Sequence, residues 1–413
     1  MYIFVVIGKP FVKKLLLTCV VMTVSFFPFA ISANASMFSE QFFDPLDGNF
    51  DASQYLTENA YGFLPVPVVI TEPAVEGGLG LMGLFFHEDE EAVARRKKGM
   101  QSENAAKYLI PPSVSVVGAA YTGNGSYAAG LGHLGFFNEG KIRYSGGFAY
   151  SDIDLDYYNL GDVALTKPIS ISTKGYGVFQ TLKFKAGGLP LYLGPIQRYI
   201  KADLTFNSDL ADRVSNPNGQ QIVAKLSDFL AREVTTSGLG LGIDYDTRDN
   251  IFTPTKGAFY ELSYVAYRDS IGSDIEYDWY RLDGQNYFQL SSDWRAGIHV
   301  VAEIADTDER LPPFAAPGIN MRGIPAARYQ GSHVATLEAE LTWQMNYRWS
   351  VLGFAGAGRA ANSTSDFSAE ESQVSKGVGF RYLIAKQYGF NMGIDVARGP
   401  EDTVWYIQAG SAW

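Results

Sequence analysis

Residues 335 to 347 read Ala335-Thr336-Leu337-Glu338-Ala339-Glu340-Leu341-Thr342-Trp343-Gln344-Met345-Asn346-Tyr347. Odd positions carry Ala, Leu, Ala, Leu, Trp, Met and Tyr, and even positions carry Thr, Glu, Glu, Thr, Gln and Asn. Successive side chains of a strand point to opposite faces, so this stretch makes one greasy face and one that must be wet or hydrogen-bonded.

The same division recurs on either side. Trp294, Ala296, Ile298, Val300, Ala302 and Ile304 oppose Arg295, Gly297, His299, Val301 and Glu303. Leu239, Leu241, Ile243 and Tyr245 oppose Gly238, Gly240, Gly242, Asp244 and Asp246. About fifteen such segments follow one another from Gly77 to Trp413. Single-chain bacterial membrane barrels use even strand numbers, so about sixteen strands are expected, with one more before residue 237. A soluble sandwich also alternates, but seldom places so many aromatics at strand ends. Tyr245, Trp294, Tyr347, Trp405 and Trp413 suit an interfacial girdle. The fold class is therefore all-β, a transmembrane antiparallel β-barrel.

The N-terminus supplies a route to a membrane. Lys13 and Lys14 precede an apolar run from Leu15 to Ile31, and Ala33-Asn34-Ala35 gives a small-x-small cleavage pattern, so residues 1–35 read as an export signal. Beyond Ser36 no apolar run approaches the ~18 residues of a membrane helix, so entry into a bilayer would be by strands. Residues 36–76 read as a short periplasmic N-terminal segment, because Pro65 and Pro67 argue against a central strand, and 77–413 read as the outer-membrane barrel. Cys19, the sole cysteine, lies inside the signal, so the mature chain is expected to have no disulfide.

Connections vary in length. Tight turns fall at Gly187-Gly188-Leu189-Pro190, Pro254-Thr255-Lys256-Gly257 and Gly399-Pro400-Glu401-Asp402, and long connections at 87–112, 207–236 and 306–332. Short turns are expected on one side of the membrane and long loops on the other. The charge run Glu88 to Glu91 with Arg95 to Lys98 reads as a solvated loop or short helix without a site.

Charge and motifs exclude several functions. With 33 Lys+Arg against 44 Asp+Glu the net charge is −11, which disfavours nucleic acid as a partner. Four widely spaced histidines, no GxSxG elbow and no Walker loop leave no catalytic, cofactor or metal site to assign. His299 is expected to sit in a lumenal network beside Arg295 and Glu303.

Two patterns are more specific than alternation. One is the run Gly238 to Tyr245 leading into Asp246-Thr247-Arg248-Asp249-Asn250 and closing at Gly257. The other is Met321-Arg322-Gly323-Ile324 in a long loop, entering a strand with Glu338 and Glu340. With the aromatic C-terminal segment, their order resembles the BamA/TamA family of outer-membrane assembly barrels, also called bacterial surface antigens, over roughly residues 77 to 413. The resemblance implies an extracellular loop folded into the lumen with Arg322 and Gly323 at its tip, facing candidate partners Glu338, Glu340 and Asp395. It also implies a periplasmic turn built on Asp246, Arg248, Asp249 and Gly257, and a C-terminal assembly signal carrying Trp405 and Trp413.

This sequence departs from the family in three places. Ile324 stands where the family has an aromatic. Gly356, in Phe354-Ala355-Gly356-Ala357-Gly358, stands where it has Asp, which points to a carboxylate displaced to another strand. The roughly forty residues between Ser36 and Gly77 leave no room for a polypeptide-transport-associated domain, so membership and activity are separate questions.

The resemblance implies a non-enzymatic outer-membrane protein that inserts or translocates polypeptide or lipid. Its partners would be outer-membrane lipid and lipopolysaccharide, the barrel-assembly machinery during biogenesis, and a polypeptide or lipid substrate. The alternative is a passive channel or surface-interaction barrel, made cation-preferring by Asp244, Asp246, Glu303, Glu338 and Glu340.

Overall fold

The computed structural model describes residues 42–44, 46–58, 63–87, 113–160, 163–206, 232–251, 253–386 and 389–413. The expected export signal and the charge run at 88–98 lie outside them.

Sixteen strands form one antiparallel sheet in sequence order, curled into a nearly closed barrel. They begin with β1 (Phe63–Ile70), β2 (Gly78–His87), β3 (Ser113–Thr122), β4 (Tyr127–Phe137), β5 (Ile142–Leu160) and β6 (Val163–Lys185). Next come β7 (Leu191–Phe206), β8 (Glu233–Asp246), β9 (Gly257–Tyr267), β10 (Tyr277–Gln289) and β11 (Trp294–Asp306). The sheet finishes with β12 (His333–Gln344), β13 (Trp349–Ala361), β14 (Gln373–Ala385), β15 (Phe390–Arg398) and β16 (Thr403–Ala409).

The alternating faces sort as the pattern demands. On β12 Leu337 and Trp343 are 51% and 41% exposed, whereas Glu338 and Thr342 are 4% and 2%. Leu239, Leu241 and Ile243 on β8, and Ile298, Val300 and Ile304 on β11, are likewise exposed on the outer wall. An apolar exterior with polar groups inside is stable only where lipid replaces water outside. Trp294 and Trp343 stack on that wall, 6.1 Å between centroids, beside Tyr347 near one rim.

The N-terminal boundary needs correction. The sheet begins at Phe63, not Gly77: the proline-bearing stretch is β1, paired to β2 from Phe63↔Phe85 to Ile70↔Gly78. It is an edge strand. Pro65 and Pro67 lie two residues apart, so their missing amides fall on one side, which a strand with a single neighbour can leave unpaired.

The distribution of connections also differs from the sequence reading. Strand direction places 88–112, 186–190, 247–256, 345–348 and both described chain ends at one rim, the turn end. The connections 207–232, 307–332 and 399–402 lie at the opposite rim, the loop end. Hence the long 88–112 connection shares an end with short turns, and the tight Gly399 turn sits among the long loops.

Candidate functional site: the lumenal loop and the joint

The β11–β12 connection folds inward as a small hairpin. Gly318 bridges Gln330, and the Ile319 amide donates to the Tyr329 carbonyl at 2.9 Å. Ile319, Met321, Ile324 and Val334 form a buried cluster under its tip, so Ile324, standing in place of an aromatic, fills an apolar pocket. Gly323 has φ +89°, a left-handed conformation that favours glycine, and its amide donates to the Tyr406 hydroxyl at 2.6 Å.

Arg322 is 1% exposed and meets all three carboxylates proposed from sequence. Its Nε lies 3.4 Å from Glu338 Oε1, and its Nη1 lies 3.0 Å from Glu340 Oε2 and 2.9 Å from Asp395 Oδ2. Phe354 on β13 covers the guanidinium face at 3.6 Å. Arg381 on β14, which the sequence reading missed, grips Asp395 with both terminal nitrogens, at 2.5 and 2.9 Å. Two guanidiniums thus face three carboxylates in a dry site, where fork geometry suits arginine better than lysine. Alternation alone offers no means of finding Arg381, because its role depends on a neighbour fourteen residues away.

Glycines make the cage possible. A Cβ on Gly356 would lie 2.7 Å from Glu338 Cγ, and one on Gly379 would lie 1.9 Å from Asp395 Oδ1. The space opposite Glu338 is therefore glycine because Glu338 fills it, so carboxylates reach Arg322 from β12 and β15 rather than from β13.

The second motif is a self-capped turn. Arg248 Nε binds Asp246 Oδ1 at 3.0 Å, and Arg143 on β5 reaches Asp246 Oδ2 at 2.8 Å. Asp249 accepts from the amides of Thr255 at 2.9 Å and Lys256 at 3.2 Å. At Gly257, φ is +102° and a Cβ would lie 2.3 Å from the Thr247 carbonyl oxygen. The Thr253 hydroxyl then donates to the Gly389 carbonyl, joining this turn to the β14–β15 turn across the turn-end mouth.

The C-terminus corrects a sequence expectation. Trp413 does not extend β16 into an outer girdle; it is 8% exposed inside the lumen. Gly410, at φ +78°, ends the strand, and the Trp413 carbonyl accepts from Tyr287 Oη at 3.0 Å. A Cβ on Gly297 would lie 2.6 Å from the indole, so Gly297 makes its slot. Trp405 remains half-buried on the outer face. His299 is buried on the lumenal face and pairs with Asp283 at 3.1 Å.

Between β1 and β16 no ladder forms among the described residues; Thr71 Oγ1 instead donates to the Trp405 carbonyl. The loop tip touches both sides of this joint. The Ala326 amide donates to Glu72 Oε1 at 3.2 Å, just beyond β1, and Arg328 Nε lies 3.0 Å from Glu401 Oε1, just before β16. Burial pushes the Glu72 carboxyl above its ordinary range, against the lowering effect of the Ala74 and Ala326 amides that donate to it.

A model of the Omp85 superfamily domain matches residues 170–400. No curated protein matches. Among solved structures, BamA from Haemophilus ducreyi lacking POTRA domains 1–3 is similar at TM-score 0.52 and 12% identity, over 84% of this chain and 69% of that one. CdiB from Escherichia coli gives TM-score 0.51 at 10% identity, covering 84% of this chain and 62% of its own. CdiB from Acinetobacter baumannii gives 0.50 at 10%, covering 84% and 58%, so the chain spans less than two thirds of either CdiB. At such identities the likeness speaks to fold. The family model covers more than half of the sequence, on a sixteen-strand sheet with an inward arginine loop, and on that ground the protein belongs to the Omp85 superfamily.

Proposed function

We propose that this protein inserts or translocates polypeptide or lipid at the bacterial outer membrane, without enzymatic chemistry, by opening the joint between β1 and β16. The observation that carries this reading is the joint itself: fifteen strand pairs have ladders, whereas among the described residues no ladder joins β1 to β16, and just beyond β1 the Thr71 hydroxyl donates to the Trp405 carbonyl. Unpaired backbone groups facing hydrocarbon cost several kcal/mol each, so such an edge has a strong drive to accept another strand or a polar group. Lipid and the general barrel-assembly machinery are the partners that family membership supports; the client is unassigned.

The passive-channel reading rested on lumenal acids, and these are paired. Lys183 meets Asp244 at 2.5 Å, Arg143 and Arg248 hold Asp246, Arg281 holds Glu303, and Arg322 holds Glu338 and Glu340. A neutralised interior has little field left to select cations.

The test is a disulfide across the joint. Val69→Cys with Ile407→Cys, two residues on from the Thr71–Trp405 contact, in a Cys19→Ser background, should stop insertion of an unfolded barrel client into proteoliposomes when oxidised and restore it on reduction. Equal insertion in both states would refute the reading.

A further inference from the structure

Residues 42–58 cross the joint at the end opposite the loop tip. The carbonyl of Phe63, the first residue of β1, accepts from Tyr55 Oη at 3.0 Å, tying this strap to the edge strand. From there the strap reaches the far side. The Ala52 amide donates to the Ile384 carbonyl at 2.8 Å, Tyr382 Oη donates to the Phe50 carbonyl at 2.7 Å, and Ala52 packs with Ala385, Ile384 and Phe390. These partners lie on β14 and β15, and β16 stands between them and β1.

The anchor is a single cation held by three acids. Arg348, in the β12–β13 turn, is 4% exposed and meets Asp44 at 2.7 Å, Asp47 at 2.7 Å and Asp51 at 2.6 Å, while Lys386 adds a contact to Asp44 at 3.3 Å. A lone Arg–carboxylate pair on a surface is weak, but three convergent carboxylates on one buried guanidinium make a geometrically specific dock. Nothing in the lumenal loop requires this dock; its geometric effect is to connect β1 to β12–β15 from outside the ladder.

We infer that residues 42–58 are a latch across the β1–β16 joint, so that the joint opens only when the three aspartates release Arg348. This rests on the reading that the joint is what opens. The loop tip at Glu72 and Glu401 holds the loop end, and the strap holds the turn end, so the two edges are tied at both rims and unladdered between them. A barrel regulated in this way would be switched by whatever competes for the strap: a basic segment that offers the aspartates a second cation has the matching chemistry.

Residue-resolved hydrogen exchange in nanodiscs tests the latch. In the triple variant Asp44→Asn, Asp47→Asn, Asp51→Asn, the side-chain oxygen kept at position 51 can still accept from the Ser53 amide, so the cap on the strap's short helix, Ser53–Glu58, survives while the charge is lost. The β1 amides of this variant should exchange at least about tenfold faster with β9–β12 unchanged. In Cys19→Ser with Ala52→Cys and Ala385→Cys, oxidation should slow β1 exchange relative to the reduced form of the same molecule. Unchanged β1 exchange in either experiment, or equal acceleration of β9–β12, would overturn the latch. Client insertion measured with the β1–β16 disulfide stands apart from this result, so the latch can fail while the proposed function survives.

Discussion

The two walls on either side of the joint are built differently. On the β12–β15 side the lumen is filled: Arg322 and Arg381 bind Glu338, Glu340 and Asp395, and Leu352, Phe354, Ala397, Val404 and Tyr406 pack together. On the β2–β4 side several inward positions are small, Gly80, Gly118, Ala120, Ala128 and Gly130, and of the larger inward residues Met82, Leu84, Val114, Val116, Leu134 and Phe136 only Val114 is buried. One wall is pinned by charge and packing, whereas the other is held by backbone ladders, and most of its inward side chains are only partly buried. Stability in one sheet is thus unevenly distributed, and the soft wall adjoins the unladdered edge. A barrel that must open while staying folded is expected to be built in this way.

Removing the pin should have the largest effect. Arg322→Ala leaves Glu338 and Glu340 without their guanidinium in a dry site while Arg381 still holds Asp395, a loss on the order of 3–5 kcal/mol. The loop should leave the lumen, with lower heat resistance of the folded band on a gel and protease cleavage between 307 and 332; unaltered mobility and cleavage would mean that the stiff wall does not depend on Arg322.

A smaller, more pointed change concerns where the carboxylate sits. Gly356→Asp should destabilise by roughly 1–3 kcal/mol through overpacking, since its Cβ would fall 2.7 Å from Glu338 Cγ. Combining it with Glu338→Ala should recover much of that loss, because the acid then approaches Arg322 from β13. Thermal unfolding of the four variants in a double-mutant cycle gives the answer; additive losses would argue against a shared slot.

The smallest effect is on the strap and is read by pH. The Arg348 hydrogen bond holds the Asp47 carboxyl below its ordinary 3.8, at about 2. A depressed carboxylate stabilises the docked strap fully above its ordinary value, and that contribution is lost as pH falls through about 2. Burial disfavours the Arg348 charge, but bonds to Asp47 and Asp51 outweigh it and hold the guanidinium above its usual range, so Arg348 stays charged throughout. Fluorescence of a probe on the strap should therefore be flat from about pH 8 to about pH 4 and change only below; release near neutral pH would contradict the Asp47 assignment.

Much of this was legible in the sequence because strand periodicity is local. The alternation from Ala335 to Tyr347 sets inward and outward faces without knowing the neighbours, and the Met321-Arg322-Gly323 motif pointed to Glu338, Glu340 and Asp395. What was not legible depends on distant partners. Pro65 and Pro67 disguised β1, whose edge position is a property of the whole sheet. Trp413 reads as a girdle residue until Gly297 and Tyr287 supply an inner slot. Asp44, Asp47 and Asp51 look like solvated acids in a polar lead-in, and only the turn carrying Arg348, some three hundred residues on, gives them a role.

The contrast between the two walls is measured most directly by distance distributions between spin labels in nanodiscs, in a Cys19→Ser background. One pair, on Leu81 of β2 and Val396 of β15, spans the joint, and a control pair, on Leu262 of β9 and Leu337 of β12, spans the same number of strands through continuous ladders. The expected result is a broad or two-peaked distribution across the joint and a single narrow one in the control. Equally narrow distributions for both pairs would contradict an opening joint.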